Sequence, residues 1–181
     1  MTSSDGRARS PVLIVGVGSE LRSDDAAGRR VAERLAGRHP PDAVEIRVVH
    51  QLTPELADAM TGRELVIVVD APVEVREVTT AELDTDPAGG AVATGAVATG
   101  VLSHHVDVAA LVDLAPLLGE RPTRVRTLAV PAYDLALGTA LSPGTTAAVS
   151  EAVARIMELC RDVIGSPRSA GPSTVPGGSS R

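Results

Sequence analysis

Runs of aliphatic residues alternate along the chain with stretches whose apolar positions recur every three or four residues, the pattern of strands and helices taking turns. Val12-Leu13-Ile14-Val15 is continuous and ends at Gly16, which predicts a strand buried on both faces. From Asp24 to Leu35, Ala27, Val31, Ala32 and Leu35 share one helical face, with Arg and Glu opposite. Val44 to Val49 alternates over most of its length, as a one-sided or edge strand does. Thr53 is placed as N-cap and Pro54 at the first position of a short helix that runs through Ala59 and Met60. Leu65 to Asp70 is the most apolar run, and its place is predicted to be central. A fourth, weaker strand is expected within Val75 to Leu83. Gly89 to Gly100 then carries Gly-Ala-Val-Ala-Thr in two successive copies, too few for a solenoid, and reads as a flexible surface loop. Helical spacing returns from His105 to Leu118, Arg124 to Val130 reads as the last strand, and Pro143 to Val163 as a long amphipathic helix. Cys160 falls on that helix's apolar stripe and is expected in the core.

This order predicts an α/β fold, a three-layer α/β/α sandwich with a mostly parallel central sheet. One domain over 11–164 is expected between a flexible N-terminus, 1–10, and a disordered tail, 165–181, whose Ser, Gly and Pro cannot offset the entropy of ordering. No apolar run approaches the roughly 18 residues of a membrane span, so no membrane partner is expected.

Composition narrows the function. With 23 acidic against 17 basic side chains and a formal net charge of -6, the chain has no electrostatic footprint for a nucleic acid. Its single cysteine excludes an internal disulfide and a thiolate zinc cage, and suits a cytoplasmic protein. The absence of Phe and Trp leaves the core to Val, Leu, Ile and Ala, and removes platforms for stacking bases.

Ligands of such a sheet bind beyond the carboxyl ends of its strands. The loop Gly16 to Asp25 follows the first strand and Asp70 ends the third, so two carboxylates, Asp25 and Asp70, can reach one site if those strands are neighbours. A dinucleotide site is disfavoured: Leu21 stands where the fingerprint wants its third glycine, and Glu20, Asp24 and Asp25 would repel a phosphate. The blander reading gives the acid pair to a helix start, with Ser23 or Asp24 as cap, and gives Asp70 to the turn after its strand. That accounts for one acid of the pair and leaves the other available. Ser103-His104-His105 brings an imidazole to the start of a helix, while His39 and His50 are open between backbone partner and ligand. Only the fold can join Asp25, Asp70 and His105 into a two-carboxylate, one-imidazole site for a borderline divalent metal. No Gly-x-Ser-x-Gly elbow, His-Glu-x-x-His or phosphate-binding loop is present.

Gly16-x-Gly18-Ser19-x-Leu21-x-x-Asp24-Asp25-x-x-Gly28 resembles the opening motif of the [NiFe]-hydrogenase maturation endopeptidases. The similarity continues through Leu65 to Ala71, Ser103-x-His105 and Gly138-x-x-Leu141-Ser142-Pro143, and so spans nearly the whole ordered region. The resemblance implies a cytoplasmic α/β endopeptidase that removes the C-terminal extension of a hydrogenase large-subunit precursor after nickel insertion. It also implies that Asp25, Asp70 and His105 bind nickel supplied by that precursor, with Asp25 or Asp70 as an alternative general base to metal-activated water. Ser19 stands where asparagine is common and Asp25 where many members have glutamate. His50 to Leu56 is similar to the segment in proteases for cytoplasmic, bidirectional-type hydrogenases. A second reading is a non-catalytic, nickel-dependent checkpoint that grips the immature subunit without cutting it; a third is an orphan α/β enzyme with a nucleotide ligand.

Overall fold

The computed structural model describes residues 9–83, the backbone of 84 and 92–94, and residues 107–165. Strands β1 (Val12–Val17), β2 (Val44–Val49), β3 (Leu65–Asp70), β4 (Thr79–Asp84), β5 (Val92–Thr94) and β6 (Arg124–Ala129) form one sheet in the order β2-β1-β3-β6-β4-β5. The four strands from β2 to β6 run parallel, whereas β4 pairs antiparallel with both β6 and β5. The predicted mostly parallel sheet is therefore present, with β3 inside it and β2 at one edge.

Helices α1 (Ala27–Leu35), α2 (Leu56–Met60), α3 (Val108–Leu114) and α4 (Pro143–Ile164) cover the two faces. Because successive strand residues point to opposite sides, Val12, Ile14, Leu65, Ile67 and Val69 meet α1 and α4, and Leu13, Val15, Val66, Val68 and Val125 meet α2 and α3. All six residues of β1 and of β3 are buried, as their unbroken apolar runs require. Cys160 lies in the α4 side of the core, and burial pushes its thiol up to about 11.

Three local expectations change. Val92–Thr94, in the first copy of the repeat, is not loop but a short edge strand on β4; three residues within a glycine- and alanine-rich repeat are too short a run to announce a strand. Thr53 does not cap α2: the helix starts at Leu56, whose N–H donates to the Thr53 carbonyl at 3.0 Å, and no side chain caps it. Nor does Ser23 or Asp24 cap α1. A single 3-10 turn, Ser23–Ala26, with Ser23 at φ 44°, precedes the helix, and neither element has a side-chain cap. The expected loose ends fall outside the described residues except for Arg9, Ser10 and Gly165. Ser10 is held, its hydroxyl donating to the Pro41 carbonyl at 2.7 Å.

Glycines set how closely α1 approaches the sheet. A Cβ on Gly28 would stand 2.4 Å from the Val69 carbonyl oxygen and 2.5 Å from that of Val17, so the helix rests directly on the ends of β1 and β3. At the opposite, amino edge, Arg63 is buried among Ser10, Glu45 and Ala59. Its Nε donates to the Ala59 carbonyl at 2.9 Å and an Nη to that of Ser10 at 2.6 Å, while the other Nη pairs with Glu45. Among the described residues no helix is long and apolar enough to cross a membrane.

Candidate functional site

The loop after β1 doubles back on itself. Gly18 adopts φ 141°, and a Cβ there would meet the Asp25 carbonyl oxygen at 1.9 Å, so only glycine lets the chain pass. That closure brings the Ser19 N–H within 2.9 Å of Asp25 Oδ2. One oxygen of the Asp25 carboxylate is thus fixed by a backbone donor, and the half-buried side chain is aimed from the end of β1. Asp70, 3% exposed, ends β3. β1 and β3 pair in parallel up to Gly16 and Val69; Asp70 ends β3, and Asp25 lies on the 3-10 turn whose backbone packs against Gly18 just past β1, so both belong to the carboxyl edge of the sheet. His50 follows β2 at the same edge and is exposed.

His105 lies outside the described residues. Among those described, no group of three His, Cys, Asp or Glu side chains is placed to hold a metal ion. The nearest described position is Asp107, whose carboxylate caps α3 by accepting from the Ala109 N–H at 3.2 Å.

Sequence reasoning missed the part played by Asp24. Its side chain is fully buried beside Asp25 and faces a segment more than a hundred residues away. Oδ2 accepts from the Tyr133 and Asp134 N–H groups, both at 2.9 Å, and from the Ser142 hydroxyl at 2.8 Å; Oδ1 accepts from the Ser142 N–H at 2.6 Å. Burial pushes the Asp24 carboxyl upward, but donation by the Ser142 and Tyr133 amides and the Ser142 hydroxyl outweighs it and holds the group below the usual carboxylate range. Ser142 is also the N-cap of α4, accepting from the Thr145 N–H, with Pro143 in the first helical turn. Ser-Pro before a long helix is a readable cap signal; its second bond, to Asp24, is not.

The residues between β6 and α4 form a strap across this edge. Ser23 N–H donates to the Gly138 carbonyl at 2.8 Å and Gly138 N–H to that of Leu21 at 3.0 Å, which pairs Arg22 with Gly138 in a short parallel bridge. Leu21 is 65% exposed and Leu137 89%, with Tyr133 at 50% on the same strap. Acid at the strand ends and apolar side chains on the rim suit a cation presented on a polypeptide better than a free nucleotide.

The chain is 28% identical over 153 residues to the hydrogenase 2 maturation protease of Escherichia coli, covering 83% of this chain and 91% of that protein. The similarity is thus to hydrogenase maturation proteases. Among solved structures, the Escherichia coli hydrogenase-maturating endopeptidase HybD superposes with a TM-score of 0.62 at 24% identity, over 84% of this chain and 93% of that one. The [NiFe] hydrogenase maturation protease HybD of Thermococcus kodakarensis gives 0.60 at 24% identity, over 82% and 98%. A hydrogenase 2 maturation peptidase from a Thaumarchaeota archaeon gives 0.57 at 26% identity, over 86% and 99%. No family profile matches the chain. The kinship with hydrogenase maturation proteases is to peptide-bond hydrolases, and it shares the α/β architecture described above.

Proposed function

We propose that this chain is a cytoplasmic endopeptidase that removes the C-terminal extension of a [NiFe]-hydrogenase large-subunit precursor once nickel has been inserted. What supports the reading is the similarity to maturation proteases together with Asp70 at the end of β3 and Asp25 on the turn after β1, both at the carboxyl edge of the sheet. Nickel is part of the substrate here. Two carboxylates and the imidazole of His105 make an oxygen and nitrogen donor set suited to such a borderline ion. The Ser19 amide holds one oxygen of a carboxylate that has two, so Asp25 is oriented without being consumed. Asp25, Asp70 and His105 dock the precursor's nickel and thereby place the scissile peptide against the edge. Nickel, as part of the substrate, would polarise the scissile carbonyl or the water; the alternative is Asp25 or Asp70 as general base toward that water.

The test is mass spectrometry of a nickel-containing precursor and of the nickel-free precursor after incubation with the chain. The expected product is a shortened large subunit from the nickel-containing form alone. Asp70→Asn and His105→Ala are expected to lower processing by about a hundredfold or more while circular dichroism stays native. Normal processing by either variant removes its residue from the site.

A further inference from the structure

Beside the proposed ligand Asp25 sits a carboxylate that touches no solvent. Asp24 is 0% exposed, and its carboxylate oxygens accept from the strap between β6 and α4 and from Ser142, the cap at that strap's end. Its own N–H donates to the Asp134 carbonyl at 3.0 Å, so backbone and side chain grip the same segment. We infer that Asp24 is a positioning residue: by gathering the Tyr133, Asp134 and Ser142 amides and the Ser142 hydroxyl, it clamps the 131–142 strap onto the turn that carries Asp25. This fixes both the aim of Asp25 and the apolar rim of Leu21, Tyr133 and Leu137 that the precursor meets. The inference rests on the endopeptidase reading for its activity arm only.

The chemistry explains why an acid is needed. Three of the four donors are backbone N–H groups, which cannot turn round to accept. An ionised carboxylate is acceptor-only and satisfies all of them. In Asn, whichever way the amide is turned, its NH2 faces at least one of those N–H groups, leaving a buried donor without a partner. The far end of the strap has its own contact: a Cβ on Gly138 would stand 2.7 Å from Ser23 Oγ. Gly138→Ala therefore loosens the same strap without touching Asp24.

The experiment compares wild type, Asp24→Asn and Gly138→Ala by amide hydrogen exchange, by the NMR shift of the Ser19 amide that Asp25 holds, and by precursor cleavage. Asp24→Asn should speed exchange at Tyr133, Asp134 and Ser142 by about tenfold or more while β1 and β3 amides keep their protection. The Ser19 amide should shift, and kcat/KM should fall about a hundredfold, mostly in kcat, because the reacting geometry is displaced. Gly138→Ala should give the same pattern, weaker, and keeps the test open if Asp24→Asn does not fold. Strap opening with an unmoved Ser19 amide and undiminished kcat overturns the inference, as does lost kcat with the strap still protected. If wild type leaves the nickel-containing precursor whole, the hydrolase reading fails by itself, and the exchange and Ser19 measurements still decide the clamp.

Discussion

The two edges of the sheet each bury a charge, and they use it to opposite ends. At the amino edge Arg63 spends its donors on two carbonyls and Glu45, tying the chain before β1, the start of β2 and the end of α2 into one knot. At the carboxyl edge Asp24 is equally consumed, but by the backbone of a strap, and its neighbour Asp25 is left half-buried with one oxygen fixed. A fully satisfied buried ion is an architectural part. The proposed chemistry is given to the adjacent acid that the architecture leaves partly open.

The sharpest way to break this contrast is to empty the amino knot. Arg63→Ala leaves the buried Ser10 and Ala59 carbonyls without their donor and Glu45 with Arg47 alone, which should cost about 3–5 kcal/mol of stability in a urea titration, while turnover per folded molecule stays near wild type. A stable but inactive Arg63→Ala would show that the two edges are not independent. Next, Gly28→Ala pushes a methyl against the Val17 and Val69 carbonyls and should cost about 1–3 kcal/mol as overpacking does. Unlike Arg63→Ala, it should also lower activity at temperatures where it remains folded, because α1 and the turn bearing Asp25 move together.

The smallest effect is in acid. Burial raises the Glu45 carboxyl, but hydrogen bonds and charge from Arg63 and Arg47 more than reverse it, so its folded value lies below the ordinary 4.5. A depressed carboxyl contributes stability that is fully present above the unfolded value and is lost as pH falls through the folded one. With Glu45 one-third exposed, the loss should be about 1 kcal/mol or less, read as the difference between wild type and Glu45→Gln in melting curves below pH 4.5.

What could be read from the sequence follows from where each signal resides. Leu65 to Asp70 and Val12 to Val15 were legible because a strand covered on both faces must be apolar throughout, and Val44 to Val49 because an edge strand alternates. That Asp25 and Asp70 lie toward the same edge was legible because parallel strands end on one side. The bonds of Asp24 were not, since their donors are mostly backbone amides of residues 133, 134 and 142, which any side chain would supply. Gly16 and Gly28 were visible as a motif, but their purpose, bare contact between α1 and the sheet, belongs to the tertiary structure alone. Val92–Thr94 hid because Ala and Thr in a glycine-rich repeat carry no hydrophobic alternation.

Cys160, the chain's one thiol, is sealed on the inner face of α4 and stays protonated far above neutral pH. An engineered cysteine on the strap would therefore be the sole site open to maleimide dyes, and a fluorophore attached there would watch that segment move against the sheet in real time, with no native sulfur to mask first.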